Sequence, residues 1–222
     1  MLESLPFDPL QAARFSLILL RGAVMTVQIT AGALTVAMAL GLILAVIKTS
    51  RIAVARVLVD VYIEIFRDIP ALTLLFILYF GFAYIGFKIQ PAPAAIIGLG
   101  VIGGAILTEV FRSGFEALHH GQREAALAIG MTPMMAMRHI ILPQAVRITL
   151  PPVGNYAIGL LKDTAIVSAI AAPEIMFWAR NLVTSTFETT LVYLLAAMLY
   201  FCMSFPLAQV VNRLEEKRRS WQ

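Results

Sequence analysis

The sequence predicts an all-α integral membrane protein, and three features of its 222 residues support that fold class. Hydrophobic residues make up 60% of the chain, charged residues only 14%, and the mean hydropathy is +0.86. A soluble domain carries about 25% charged residues, so a soluble chain this apolar would lack the polar side chains to cover its surface. Apolar runs of about 20 residues, long enough to cross a bilayer as helices, also recur along the chain.

Five such runs predict five transmembrane helices in one membrane domain covering residues 1–222. Their approximate bounds are residues 22–47, 57–87, 92–111, 148–172 and 191–211. The second run is longer than a bilayer requires and is charged in its first half. The longest polar segment, residues 112–147, separates the third run from the fourth.

Lysine and arginine residues are unevenly divided between the two ends of the predicted spans. One side receives Lys48, Arg51, Arg56, Arg112, Arg123, Arg138, Arg147, Arg213, Lys217, Arg218 and Arg219, with Arg67 near its edge. The other side receives Arg14, Arg21, Lys88 and Arg180. Because cytoplasmic loops carry the excess of these residues, we expect the N-terminus outside and the C-terminus and residues 112–147 in the cytoplasm. The net charge of +4 then reflects orientation in lipid rather than a nucleic-acid partner.

Motif searches predict no catalytic residue, cofactor site or metal site in this chain. Gly98-Leu-Gly100-Val-Ile-Gly103 matches a dinucleotide fingerprint but lies inside a span, where Gly100 and Gly104 instead form a small-residue face for helix packing. The phosphate-binding pattern GxxxxGK[ST] and the zinc pattern HExxH are absent, and Cys202 is the single cysteine. If ATP powers this protein, we expect another chain to bind it.

Residues 122–143 carry the signals of two short helices. The first contains strong helix formers and ends at Gly130, a residue type typical of helix C-termini. Thr132 is expected to cap the second, and Pro133 fits its first turn. Pro143 is expected to break that second helix. From these signals alone, the pair either docks on another molecule or covers the bundle.

The same segment resembles the EAA coupling loop of permease subunits in bacterial ABC importers. Glu124-Ala125-Ala126 is followed after three residues by Gly130, and after nine more by Ile140 and Leu142-Pro143. In that family the loop docks into a groove on a separate ATPase subunit. The resemblance implies the same role for a set of residues in this segment: Arg123, Glu124, Ala125, Ala126, Gly130, Leu142 and Pro143.

Further segments resemble the permeases that import polar amino acids of the histidine, arginine and glutamine type. These include Glu109-Val-Phe-Arg112-Ser-Gly114, Leu160-Leu161-Lys162-Asp163-Thr164 and Glu64-Ile-Phe-Arg67-Asp-Ile-Pro70. Asp68-Ile69 stands where the family usually has Gly-Thr, and Ala165 where it often has serine. These departures leave the solute open, so another small solute, such as an opine or a quaternary amine, is the alternative.

The resemblance implies a type I importer permease in the bacterial inner membrane, working by alternating access. Its implied partners are a dimer of ATPase subunits that binds ATP and Mg²⁺, a second permease of the same or a homologous kind, and an extracytoplasmic solute-binding protein. An amino acid would be the solute and lipid the surroundings. A membrane-embedded enzyme is the rival class, but the three histidines all lie in the predicted cytoplasmic loop, where they offer no partner for a serine in the spans.

Two pairs of opposite charges lie near the predicted cytoplasmic ends of the spans. Glu64 and Arg67, and likewise Glu109 and Arg112, are three residues apart and share a helix face. Charged side chains within the bilayer usually face a partner or water, because exposing them to lipid is costly. We expect each pair to act in structure or gating.

Lys162 and Asp163 lie about midway along the fourth predicted span. Adjacent residues point about 100° apart on a helix, so a break in the helix or partners on other helices are implied. Solute sites of transporters often form where helices are interrupted near the midplane. Asp163 could balance an ammonium, Lys162 a carboxylate, and Thr164 or Ser168 could donate hydrogen bonds. An ion network between subunits is the equal alternative.

Overall fold

The computed structural model of the protein describes residues 8–50, 52–117 and 120–219, with only the backbone described at 120, 123 and 217–219. Every regular element in these ranges is helical, which confirms the predicted fold class. The α-helices are α1 (Pro9–Lys48), α2 (Ala53–Asp68), α3 (Ala71–Phe76), α4 (Phe82–Tyr84), α5 (Pro91–Glu116), α6 (His120–Ala128), α7 (Pro133–Ala136), α8 (Leu142–Asp163), α9 (Ile175–Thr186) and α10 (Thr189–Arg219). Three stretches have other helical hydrogen bonding: the π-helical Ile77–Gly81 and Met137–Ile141, and the 3₁₀-helical Thr164–Ile170.

Three helices in the described part of the chain are long and apolar enough to cross a membrane. They are α1, α5 and residues Thr189–Glu216 of α10, with mean hydropathies of 2.3, 2.0 and 2.0. They correspond to the first, third and fifth predicted spans. Helix α1 begins well before residue 22, because the Asp8 carboxylate caps it by accepting a hydrogen bond from the Leu10 amide at 3.0 Å.

The second predicted span, residues 57–87, is wrong as a single helix. Helix α2 ends at Asp68, and Ile69 is extended (φ −75°, ψ 126°) before Pro70. A residue that precedes proline is pushed out of the helical region by the proline ring. A helix then resumes with α3, continues through the π-helical turn into α4, and ends at Tyr84. The excess length of this run therefore reflects two consecutive helices.

The helix of the fourth predicted span begins earlier than residue 148. Helix α8 begins at Leu142 and continues through Pro151 and Pro152 without a break. The interruption comes later, where α8 gives way to the 3₁₀ helix immediately after Asp163. This agrees with the expected break beside Lys162 and Asp163.

Helix α9 was not predicted. Its N-terminus is capped by Glu174, whose carboxylate accepts hydrogen bonds from the amides of Met176 (2.8 Å) and Phe177 (2.7 Å). The helix ends at Thr186, and the backbone of the next residue, Phe187, is left-handed with φ 61°. An acidic residue before an apolar helix is a recognisable capping signal, so Glu174 could have indicated the start of α9 from the sequence.

Small residues allow α1 and α5 to pack closely. A Cβ added to Gly100 would lie 2.7 Å from the Val36 Cβ, and one added to Gly104 would lie 2.9 Å from the Leu40 Cβ. Both distances are shorter than real carbon contacts, so only glycine fits. The predicted packing face of Gly100 and Gly104 is therefore confirmed.

The largest hydrophobic cluster joins α1 and α5 to the two interrupted helices. Ile29 of α1 and Leu99 of α5 pack in one cluster with Leu75 of α3, Leu160 of α8 and Val167 of the 3₁₀ helix. The breaks after α2 and α8 are therefore held by a common apolar core. This core positions the exposed end of α8.

Candidate functional site

Helix α6 ends as the sequence predicts. Gly130 has φ +85°, a left-handed conformation that glycine adopts without strain. Its amide donates to the Leu127 carbonyl at 3.0 Å, and the Met131 amide donates to the Ala126 carbonyl at 3.1 Å. These bonds satisfy carbonyls that the end of a helix leaves open. A glycine fixes the turn between α6 and α7.

The second helix of the loop starts as predicted but ends differently. The Thr132 hydroxyl accepts a hydrogen bond from the Met135 amide at 3.3 Å, and Pro133 occupies the first turn. Pro143 does not break the helix, because it lies in the first turn of α8, directly after the π-helical turn. Proline is tolerated in a first turn, where its missing N–H has no intrahelical partner. The second helix thus runs without a gap into α8.

The side chains of the EAA triplet point in different directions. Glu124 and Ala125 are exposed, whereas Ala126 is only 4% exposed and faces the protein. Gly130, Leu142 and Pro143 are exposed on the same loop. The side chain of Arg123 lies outside the described residues. Within the triplet, the exposed surface is therefore carried by Glu124 and Ala125, while Ala126 packs inward.

Exposed apolar side chains follow this triplet along the loop, and we call them the loop patch. Its members are Leu127, Ile129, Met134, Met135, Met137 and Leu142. Ile129 and Met134 are each 75% exposed. Contiguous apolar surface on a polar loop marks a site of interaction with another protein or with lipid. The loop patch was not singled out from the sequence, although its methionines are visible there.

The predicted pair of Glu109 and Arg112 is present, and it belongs to a larger ion network. Arg112 Nη2 lies 2.7 Å from Glu109 Oε2, and Arg112 Nη1 lies 2.5 Å from Glu116 Oε2. Lys48 Nζ contacts Glu109 Oε1 at 2.5 Å and Asp60 Oδ1 at 2.8 Å. Lys48 and Asp60 were missed, because their pairing depends on the packing of three helices. Glu116 was also missed, although it lies four residues after Arg112 on the same helix.

The predicted pair of Glu64 and Arg67 is not formed. Both side chains are exposed on α2, and neither makes an ion pair with any described residue. A spacing of three residues permits an ion pair but does not enforce one, because exposed long side chains lose entropy when they pair.

The expected solute-path residues at the end of α8 divide into two groups. Lys162 and Asp163 are exposed, whereas Thr164 is fully buried and its hydroxyl donates to the Leu161 carbonyl at 2.7 Å. The half-buried Ser168 donates to the Ala165 carbonyl at 2.8 Å. Thr164 is therefore unavailable to a solute in this conformation, which corrects the expectation for that residue.

Lys162 lines an open groove that Asp163 does not. The groove lies between the end of α8, α9 and α10, and its lining is almost entirely apolar: Lys162, Ala165, Met176, Tyr193, Ala196, Ala197 and Tyr200. Lys162 is the one charged residue of this lining. The two neighbouring side chains therefore lie on different sides of the end of α8, as their separation around the helix suggests.

A buried carboxylate lies behind this groove. Glu174 is fully buried, and besides capping α9 it accepts a hydrogen bond from the Tyr200 hydroxyl at 2.6 Å. Gly22 of α1 passes so close that an added Cβ would lie 2.7 Å from the Ile175 amide nitrogen. Buried carboxylates need such hydrogen bonds to offset lost hydration. Glu174 thus fixes α9 against α10 and shapes one wall of the groove.

Comparison with known proteins gives a consistent family. A model of the family described as "Binding-protein-dependent transport system inner membrane component" matches residues 37–220. The probable amino-acid ABC transporter permease protein YckA of Bacillus subtilis is 36% identical over 178 residues, covering 80% of this chain and 79% of that protein. The L-cystine transport system permease protein TcyB of the same species is 32% identical over 215 residues, covering 96% and 92%. The nopaline transport system permease protein NocQ of Agrobacterium fabrum is 35% identical over 218 residues, covering 91% and 90%.

Solved structures agree with these relatives. A crystal structure of an amino acid ABC transporter with histidines has a TM-score of 0.88 and 32% sequence identity, covering 96% of this chain and 100% of that one. The MetNI methionine ABC transporter in an inward-facing conformation has a TM-score of 0.69 at 23% identity, covering 89% and 96%, and so supports the fold alone. On the combined strength of the family match, the relatives and these folds, this chain belongs to the inner membrane components of binding-protein-dependent transport systems.

Proposed function

We propose that this chain is the permease subunit of an ABC importer for an amino acid, with residues 122–143 as its cytoplasmic dock for the ATPase. The observation that carries this proposal is the outward surface of α6, where Glu124 and Ala125 are exposed beside the loop patch. The small Ala125 side chain permits close approach of a partner, and the charged Glu124 side chain beside it favours one orientation of that partner. The apolar loop patch adds surface whose burial favours association.

ATP and Mg²⁺ are bound by the separate ATPase subunits, and hydrolysis takes place there. Closure of the ATPase pair on ATP moves α6, and α6 carries that motion into α5 and α8, the helices on either side of the loop. The cavity then opens outward and receives solute from an extracytoplasmic binding protein. After hydrolysis it opens inward. A second permease, identical or homologous, completes the pathway.

The orientation required is N-terminus outside and C-terminus in the cytoplasm. The excess of lysine and arginine on the side of the α5–α8 loop supports it. This orientation places the loop patch in the same compartment as the ATPase. It also places the α9–α10 turn, with Phe187 at its tip, toward the binding protein.

An amino acid is the solute that the end of α8 fits best. Asp163 is exposed and supplies a carboxylate for the ammonium, and Lys162 supplies a cation for the carboxylate from the adjoining groove. Two of the relatives support this class, since YckA is a probable amino-acid permease and TcyB an L-cystine permease. Because the relative NocQ belongs to a nopaline transport system, an opine is the second candidate solute.

Uptake by the reconstituted complex tests this function. The chain is placed in liposomes with its ATPase, second permease and binding protein, and each of the common amino acids and nopaline is offered in radiolabelled form. We expect ATP-dependent accumulation of at least one amino acid, blocked by an excess of the same unlabelled compound. A complex that hydrolyses ATP and accumulates none of these solutes would overturn the assignment.

A further inference from the structure

Five charged side chains join the inner ends of three helices. Lys48 is the last residue of α1, Asp60 belongs to α2, and Glu109, Arg112 and Glu116 belong to the last turns of α5. The chain of contacts runs from Asp60 through Lys48, Glu109 and Arg112 to Glu116, with distances between 2.5 and 2.8 Å. We call this set the inner ion network.

Lys48 holds the central position in the inner ion network. Its ammonium contacts a carboxylate of α2 and a carboxylate of α5 at once. Among the described residues, no other cation links α2 to α5. The side chain is only 20% exposed, so its contacts are less screened than those of a surface pair.

The charges of the inner ion network make it depend on Lys48. Asp60 and Glu109 both lie within 2.8 Å of its Nζ atom, so the two carboxylates are close neighbours. Without the ammonium they would repel each other, which would weaken the hold of α2 on the end of α5. Arg112 cannot replace it, because its guanidinium already contacts Glu109 and Glu116.

The inner ion network lies where motion of the loop enters the bundle. Glu116 is the last residue of α5, and α6 begins at His120. Movement of α6 is therefore passed to the end of α5 on one side of the loop, as it is to α8 on the other. Helix α1 already packs closely on α5, and Tyr62 of α2 donates a hydrogen bond to the Val101 carbonyl of α5 at 2.7 Å. Lys48 adds an ionic link between both helices and the end of α5 itself.

We propose that Lys48 is a coupling residue, which makes the inner ends of α1, α2 and α5 move as one body when the ATPase moves α6. This inference rests on the proposed function, because it assigns the route by which ATP-driven motion enters the membrane. Lys48 acts by positioning helices and needs no contact with solute.

Spin-label distances in the assembled complex test this role. Cys202 is first replaced by serine, and cysteines are introduced at Val54 of α2 and Ser113 of α5, both exposed. With Lys48 intact, we expect the distance between the two labels to be the same with and without ATP. Lys48→Met should lengthen or broaden that distance, while Lys48→Arg should preserve it. Lys88→Met is the matched control, because Lys88 is exposed and makes no ion pair with a described residue.

The functional readout is solute accumulated per ATP hydrolysed by the same complexes. We expect Lys48→Met to lower this ratio by at least about fivefold, the lower end of typical coupling between sites, and Lys48→Arg to restore it. A second variant, Asp60→Asn, removes only the contact of Lys48 with α2. If the complex with Lys48→Met does not assemble, Asp60→Asn should show the same lengthened or broadened distance between the labels. Unchanged distances and an unchanged ratio in Lys48→Met, or in Asp60→Asn in its place, would overturn the inference. Failure of the unchanged chain to bind the ATPase would instead count against the proposed function.

Discussion

Charge reversal by Glu124→Arg is expected to lower ATP-driven uptake by at least about tenfold, equivalent to roughly 1.4 kcal/mol of lost coupling. Glu124 is exposed on α6 beside the exposed Ala125, within the surface that we propose docks on the ATPase. Reversing one charge on a complementary interface replaces an attraction by a repulsion, which typically costs more than simple removal. The effect should appear as uncoupling: reduced solute uptake for each ATP hydrolysed, together with weaker recovery of the ATPase on purification.

The control for this variant is Glu216→Arg. Glu216 is an exposed acid near the end of α10, at the predicted cytoplasmic side, and it lies outside the loop patch. The Glu216→Arg substitution makes the same change of charge on the same predicted side of the membrane, so general electrostatic effects would appear in both variants. Normal ATPase recovery and normal coupling in Glu124→Arg would contradict the proposed dock.

Neutralisation by Asp163→Asn is expected to lower uptake by at least about tenfold while ATPase recovery stays normal. A hydrogen bond to a charged group contributes about 1.5–3 kcal/mol, which is a factor of ten or more in binding. Asp163 is exposed at the break after α8 and makes no ion pair with a described cation, so its charge is available to a solute ammonium. Uptake of the identified amino acid and thermal stability of the complex are measured together.

Lys162→Met serves as the comparison for Asp163→Asn. Lys162 faces the apolar groove beside α10, so we expect its neutralisation to impair uptake less than the change at Asp163. If Asp163 instead belongs to an ion network between subunits, Asp163→Asn would destabilise the complex and lower ATPase recovery. Normal uptake by Asp163→Asn would remove it from the solute path altogether.

The helical fold could be predicted from the sequence because its determinants are local or compositional. The apolar runs indicated helices surrounded by lipid. Gly130 marked the end of α6 and Thr132 the start of α7. Gly100 and Gly104 marked the face that meets α1. Each of these features depends on one residue type at one backbone position, which a sequence displays directly.

Prolines were misread where their effect depends on position within a helix. Pro70 breaks the second run, whereas Pro143 sits in a first turn and is accommodated. Pro151 and Pro152 lie inside α8, which continues through them. The same residue type therefore has opposite consequences, and the deciding factor is the hydrogen bonding of the preceding turn.

The ionic parts of the site were predicted only within single helices. Glu109 and Arg112 are three residues apart, so local spacing revealed their pair. Lys48 meets Glu109 across 61 positions of sequence, and Glu174 meets Tyr200 across 26. Contacts of this kind depend on how helices pack. Burial of Thr164 likewise depends on the rotation of the 3₁₀ helix, which the pattern of charges did not define.

Cross-linking from the surface of α6 tests the central claim most directly. A photoreactive benzoylphenylalanine is placed at Ala125, which is exposed on α6, and as a control at Tyr84, which is 92% exposed at the end of α4. The complex is then irradiated, and the products are identified by mass. The proposed dock predicts a covalent product between position 125 and the ATPase subunit and none from position 84. No ATPase product from position 125, in a complex that hydrolyses ATP and imports solute, would contradict it.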